Sequence, residues 1–178
     1  MARKFFAGAL ALSALASHQA ALAQDNAASC ATVEQAEALM IAVMPGIIRS
    51  VSDLCQPHLP AGAELATSSS HVDTVLVPAA REAFPTALDT FMVIGGTEMP
   101  AELRSLGYDQ LMPLLDGVLG QQIAGDIKPE SCGSINRIYT SLKAMSPQQS
   151  ASLIVALVEI SGDKESPLKI CPITAAGD

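Results

Sequence analysis

The sequence predicts an all-α protein: a single compact helical domain of about five to six helices, ending in an α-hairpin and linked by disulfides. Three observations carry this. Apolar residues recur at steps of three and four through most of the chain, the spacing that draws one stripe along a helix. Strand signals are nearly missing, with no long period-two stretch and only 3% aromatic residues to dress a sheet. Four cysteines follow an amino-terminal segment with the marks of an export signal.

That segment opens with Arg3 and Lys4, continues as an apolar run from Phe5 to Ala16, and reaches Ala21-Leu22-Ala23 before Gln24. Small residues three and one places before a cut fit the narrow pocket of a signal peptidase, and a run of about 12 apolar residues is too short to span a bilayer. Residues 1–23 therefore read as a signal peptide and residues 24–178 as one exported domain, in the periplasm or secreted. A single basic pair favours export of the unfolded chain, and Cys30 lies too far past the cut for a lipid anchor. No second long apolar segment, internal repeat or low-complexity tract stands out, which argues against a membrane span and against disorder. The leader carries two of the ten basic residues and none of the 18 acids, so the remainder has a net charge of −10. Nucleic acid is excluded as a partner, because phosphate neutralisation needs a basic patch that this chain cannot assemble.

The first stripe runs through Val33, Ala36, Met40, Val43, Ile47, Val51 and Leu54. Thr32 and Gln35 form a capping-box pattern at its start. Pro45-Gly46 is a common turn signal, yet the stripe keeps its phase across it, so one kinked helix is expected rather than a hairpin. Pro57, Pro60, Gly62 and Ser68-Ser69-Ser70 mark a connection. A helix then follows from His71 to Ala83 on Val72, Val75, Leu76, Ala79, Ala80 and Ala83, with Phe84, Leu88, Phe91 and Met92 continuing it past Pro85 as a bent second piece. After Gly95-Gly96, a short helix from Met99 to Leu106 leads to Asp109, expected to cap a helix carrying Leu111, Leu114, Leu115, Val118, Leu119 and Ile123. Ser131 precedes a helix with Ile135, Ile138, Tyr139 and Leu142 on one face. Ser146-Pro147-Gln148-Gln149 starts another, presenting Leu153, Ile154, Leu157, Val158 and Ile160.

Cys30, Cys55, Cys132 and Cys171 are expected to be structural disulfides. A straight helix of about 25 residues is about 37 Å long, whereas bonded cysteines need α-carbons within about 7 Å, so Cys30 should not bond Cys55. Cys132 with Cys171 is the rival local pairing, each lying beside one arm of the last hairpin.

Candidate chemistry is sparse. The exported part holds His58 and His71, neither beside a cysteine in sequence, and there is no Cys-x-x-Cys, Gly-x-Ser-x-Gly, His-x-x-x-His or calcium loop. Gly162-Asp163-Lys164-Glu165 is a weak acidic turn. Met40 and Met44, one turn apart, could offer two thioethers to cuprous copper, but methionines on an apolar stripe more often fill core gaps. Glu98 with Glu102 and Asp109 with Asp116 are the paired carboxylates available to an acid–base mechanism, more simply read as solvated faces. The sequence thus assigns no catalytic, cofactor or metal residue. It points to an exported non-enzymatic helical binding or interaction protein, its partner another exported protein or a small apolar ligand held in a groove between helices. A hydrolase with a site assembled only by the fold is the alternative.

Overall fold

The computed structural model describes residues 30–95, 100, 102, 105–161 and 169–171. The leader, most of the short helix expected over 99–106 and the acidic turn at 162–165 lie outside the described residues. Helix α1 spans Val33–Cys55 and continues as a 3-10 turn, Gln56–His58. Helix α2 runs without a break through Ser69–His71, a π-helical section Val72–Leu76, and Val77–Gly95. Helices α3 (Tyr108–Asp126), α4 (Cys132–Lys143) and α5 (Pro147–Ser161) follow. Among the described residues there is no strand, only an isolated parallel bridge between Ala31 and Ile170. The compact all-α domain stands as expected.

Local chemistry explains where the helices begin. At α1 the Thr32 hydroxyl accepts from the Gln35 amide at 3.2 Å and the Gln35 side chain accepts from the Thr32 amide at 2.9 Å. The same reciprocal box opens α5, with Ser146 and Gln149 paired at 3.0 and 3.2 Å. At α3 the expectation fails. The cap falls on Gly107, whose carbonyl accepts from Leu111 and whose amide donates to the Gln110 side chain, while Asp109 lies in the first turn. The π section of α2 has a physical cause in Pro78, which cannot donate and whose ring crowds the carbonyl four residues back. The preceding turn widens, and the Val77 amide bonds the Val72 carbonyl five residues away.

Pro45 lies inside α1, which passes through it as one helix. The buried set on α1 is broader than the predicted stripe: Ala36, Ala38, Ile41, Ala42, Pro45, Gly46, Val51 and Cys55. The reason is that α1 is the central helix, packed by α2, α3 and α5, and small side chains let those neighbours approach from several sides. Val33–His58 is also long and apolar enough, by length and composition, to cross a membrane, which corrects the reading that no second such segment exists. In this fold its apolar faces feed the core.

Three apolar clusters surround α1. Val51, Cys55, Leu65, Cys132 and Tyr139 join its end to α4 and the 59–68 loop. Ala80, Phe84, Tyr108, Leu111 and Met112 join α2 to α3, with the Phe84 and Tyr108 rings edge to face at 5.7 Å. Ala31, Ala36 and Val155 join the amino-terminal segment to α5. On α5 the buried residues are Ser150, Ala151 and Val155, whereas Leu153, Leu157 and Ile160 face outward. The predicted face of α5 is therefore only part of the story: the helix is apolar nearly all round, and its pattern does not choose a side.

The disulfides join Cys30 to Cys171 and Cys55 to Cys132, with α-carbons 5.0 and 5.4 Å apart. The exclusion of Cys30 with Cys55 holds, and the rival Cys132–Cys171 pairing does not occur. Cys132 turns inward at the start of α4 to meet the end of α1, and the segment holding Cys171 runs beside residue 31. There the Ala31 amide donates to the Lys169 carbonyl and the Cys171 amide to the Ala31 carbonyl, both at 2.8 Å.

Candidate functional site

The face of α1 that carries Met40, Met44, Ile47 and Ile48 is half-buried, with Ile47 and Ile48 packed toward α4 and Met40 toward α5. It forms one wall of a cavity of about 160 Å³. His71 and Leu76 of α2 form a second wall, and Tyr139, Leu142 and Lys143 of α4 a third. Met145, from the connection after α4, joins Pro147, Ser150 and Ile154 of α5 to complete the lining. The spacing of the α1 residues, at i, i+4, i+7 and i+8, is the helical periodicity that puts all four on one side. The surface they present is almost wholly apolar, and three of the side chains are thioethers.

The polar groups sit around one end. The His71 and Tyr139 rings meet edge to face, centroids 6.3 Å apart. Lys143 is ion-paired with Glu64, which partly offsets its charge beside the cavity. Burial, and then the Lys143 ammonium, hold His71 below the ordinary histidine value against the opposing pull of Glu64, so its imidazole is neutral at pH 7. Burial pushes the Tyr139 phenol up. That residue is 3% exposed, and its hydroxyl has no partner at bonding geometry, although the Ser68 side chain stands close enough to act on it. The ring thus faces the cavity as an apolar surface while the hydroxyl is directed into protein.

The carboxylates singled out by sequence do not converge. Asp109 is at the surface, with one oxygen accepting from Nε and an Nη of Arg81 at 3.1 and 2.8 Å. Asp116 turns toward α1, and one of its oxygens is buried with no hydrogen-bond partner. Burial raises its pKa, and Arg49 opposes that shift. Glu102 is exposed, and Glu98 lies outside the described residues. Among the described residues no three His, Cys, Asp or Glu side chains gather as a metal site. His58 is exposed and away from the cavity lining.

Met40 and Met44 were visible in the sequence as a helical pair. The partners His71, Tyr139, Lys143 and Met145 were not. No local motif links residues 40, 71, 139 and 145, and only the tertiary arrangement brings them to one cavity. No protein-family model matches the chain, and no curated protein or solved structure matches it either. The two disulfides and the apolar amino-terminal stretch agree with an exported protein.

Proposed function

We propose that this is an exported, non-enzymatic binding protein, periplasmic or secreted after removal of residues 1–23, that holds a small apolar molecule between α1, α2, α4 and α5. One observation carries the reading: a well-packed helical domain leaves a cavity of about 160 Å³ with apolar walls. A dry apolar cavity of about 150 Å³ in another protein is enough to bind benzene, so this space has room for at least one ring. Charge plays little part in the apolar walls, since Lys143 at the rim is ion-paired with Glu64 and His71 is uncharged at pH 7.

Binding of this kind survives raised salt and carries a negative heat-capacity change. Calorimetry and thermal melting with ethylbenzene test it. A free concentration about 100 times Kd adds about 2.7 kcal/mol of stability to the folded chain. Ile154→Phe, which fills the cavity from α5, is expected to weaken binding at least tenfold while the protein stays folded. Equal binding by the variant, or no binding by the parent protein, would refute the assignment.

A further inference from the structure

Three thioethers line one apolar cavity. Met40 and Met44 stand one turn apart on α1, and Met145 enters from the α4–α5 connection. His71 lines the same space from α2, and no hydrogen bond joins its ring to another described residue. Thioether sulfur is a poor hydrogen-bond acceptor and a soft metal ligand, and imidazole is a ligand to the same late transition metals. Methionine side chains have three rotatable bonds, so the sulfurs that line one cavity can adjust their direction toward a ligand.

We infer that the cavity also takes a soft monovalent cation, Cu(I) being the physiological case, held by the Met40, Met44 and Met145 sulfurs with the His71 imidazole. A closed-shell d10 ion imposes no strict geometry and tolerates three or four neutral ligands in an apolar setting. The ammonium of Lys143 repels a cation at this end of the cavity, and its ion pair with Glu64 offsets part of that repulsion. The Tyr139 ring adds a π face to the wall. No thiolate competes, because all four cysteines of the chain are in disulfides. The inference rests on the cavity being the binding site, and adds a second class of occupant to it.

The test uses the full exported chain with its disulfides intact, its methionine ε-methyl groups labelled with ¹³C, and Cu(I) supplied anaerobically as its acetonitrile complex. One equivalent should shift the methyl signals of Met40, Met44 and Met145 and leave that of Met112, buried between α2 and α3, in place. A chelator competition should show at least a tenfold loss of affinity in the triple variant M40L/M44L/M145L and a smaller loss in His71→Phe. Leucine for methionine nearly conserves volume, so the triple variant should fold, which its circular dichroism and thermal melting check. Equal response of Met112, or undiminished Cu(I) binding by the triple variant, would overturn the inference. Ethylbenzene binding without Cu(I) binding would overturn the metal site and leave the apolar-binding reading standing, whereas loss of both would remove both.

Discussion

The carboxylate of Asp116 lies directly against the α-carbon of Gly46: a β-carbon built at position 46 would stand 1.9 Å from Oδ1 and 2.6 Å from Cγ of Asp116. This contact explains a sequence feature that local rules misread. Pro45-Gly46 has the composition of a turn, yet it sits in the middle of a continuous helix. Here the glycine is needed for close approach by α3 rather than for backbone freedom.

Gly46→Ala should therefore destabilise the protein even though alanine favours helix. The Asp116 carboxyl would have to swing away from α1, at a cost of at most about 1–3 kcal/mol, the range typical of overpacking. Combining it with Asp116→Ala should recover much of that loss. Urea denaturation of both single variants and the double variant measures the coupling, and simple additivity would show that the two residues do not oppose one another.

The same carboxylate predicts a pH dependence. Burial raises the Asp116 pKa above its unfolded value of 3.8, so the folded protein binds this proton more tightly than the unfolded chain does. The resulting stabilisation is complete below the unfolded pKa and is lost as pH rises through the folded pKa. Asp116→Asn carries no titratable group and should be more stable than the parent protein at neutral pH, with the difference shrinking as the medium is acidified. Denaturation at a series of pH values checks the sign, and curves that stay parallel would count against it.

Much of the fold was legible because it is written in short-range chemistry. Thr32 with Gln35 and Ser146 with Gln149 are complete signals within four residues, and both open helices as expected. The length of a 23-residue helix was enough to forbid Cys30 from bonding Cys55. What failed depended on distant neighbours. Asp109 looks like a cap but is drawn to Arg81, 28 residues away in sequence. The π section before Pro78 needs a proline to be read as widening a helix rather than breaking it. The cavity depends on how α1, α2, α4 and α5 come together, which no periodicity along α1 can express.

Helix α5 gives a sharp comparison. Val155 is 1% exposed in the cluster with Ala31 and Ala36, whereas Leu157 is 57% exposed. Val155→Ala should cost about 1.5–3 kcal/mol, the range for burying one such side chain, and Leu157→Ala under about 1 kcal/mol. The reverse order in chemical denaturation would mean that the outer face of α5 is covered.

Leu65 is a buried anchor of the 59–68 loop. Its amide donates to the Asn136 side chain at 2.9 Å, and its carbonyl accepts from the Ser52 hydroxyl at 2.8 Å. Asn136→Leu would leave the Leu65 amide without a partner and should cost about 1–3 kcal/mol. Hydrogen exchange at Leu65, faster in the variant than in the parent protein, provides a local readout.

The two disulfides should differ in how they respond to reductant, because thiol exchange requires an attacking thiolate to reach sulfur. Cys55 and Cys132 are 0% and 1% exposed and sit among Val51, Leu65 and Tyr139, while Cys30 and Cys171 are half-buried at the meeting of the chain's two end segments. Graded reduction followed by alkylation and peptide mapping should label Cys30 and Cys171 first, at reductant levels that leave Cys55–Cys132 intact. Opening the outer bond releases the segment around Lys169 and Ile170 from Ala31 but leaves α1 tied to α4, so most helical signal should remain. Opening the inner bond should come only with global unfolding, since it links the end of α1 to the start of α4 across 77 residues, and removing it by paired Cys→Ala replacement should cost about 2–5 kcal/mol. Simultaneous labelling of all four cysteines at low reductant would show that the inner disulfide is reached without unfolding.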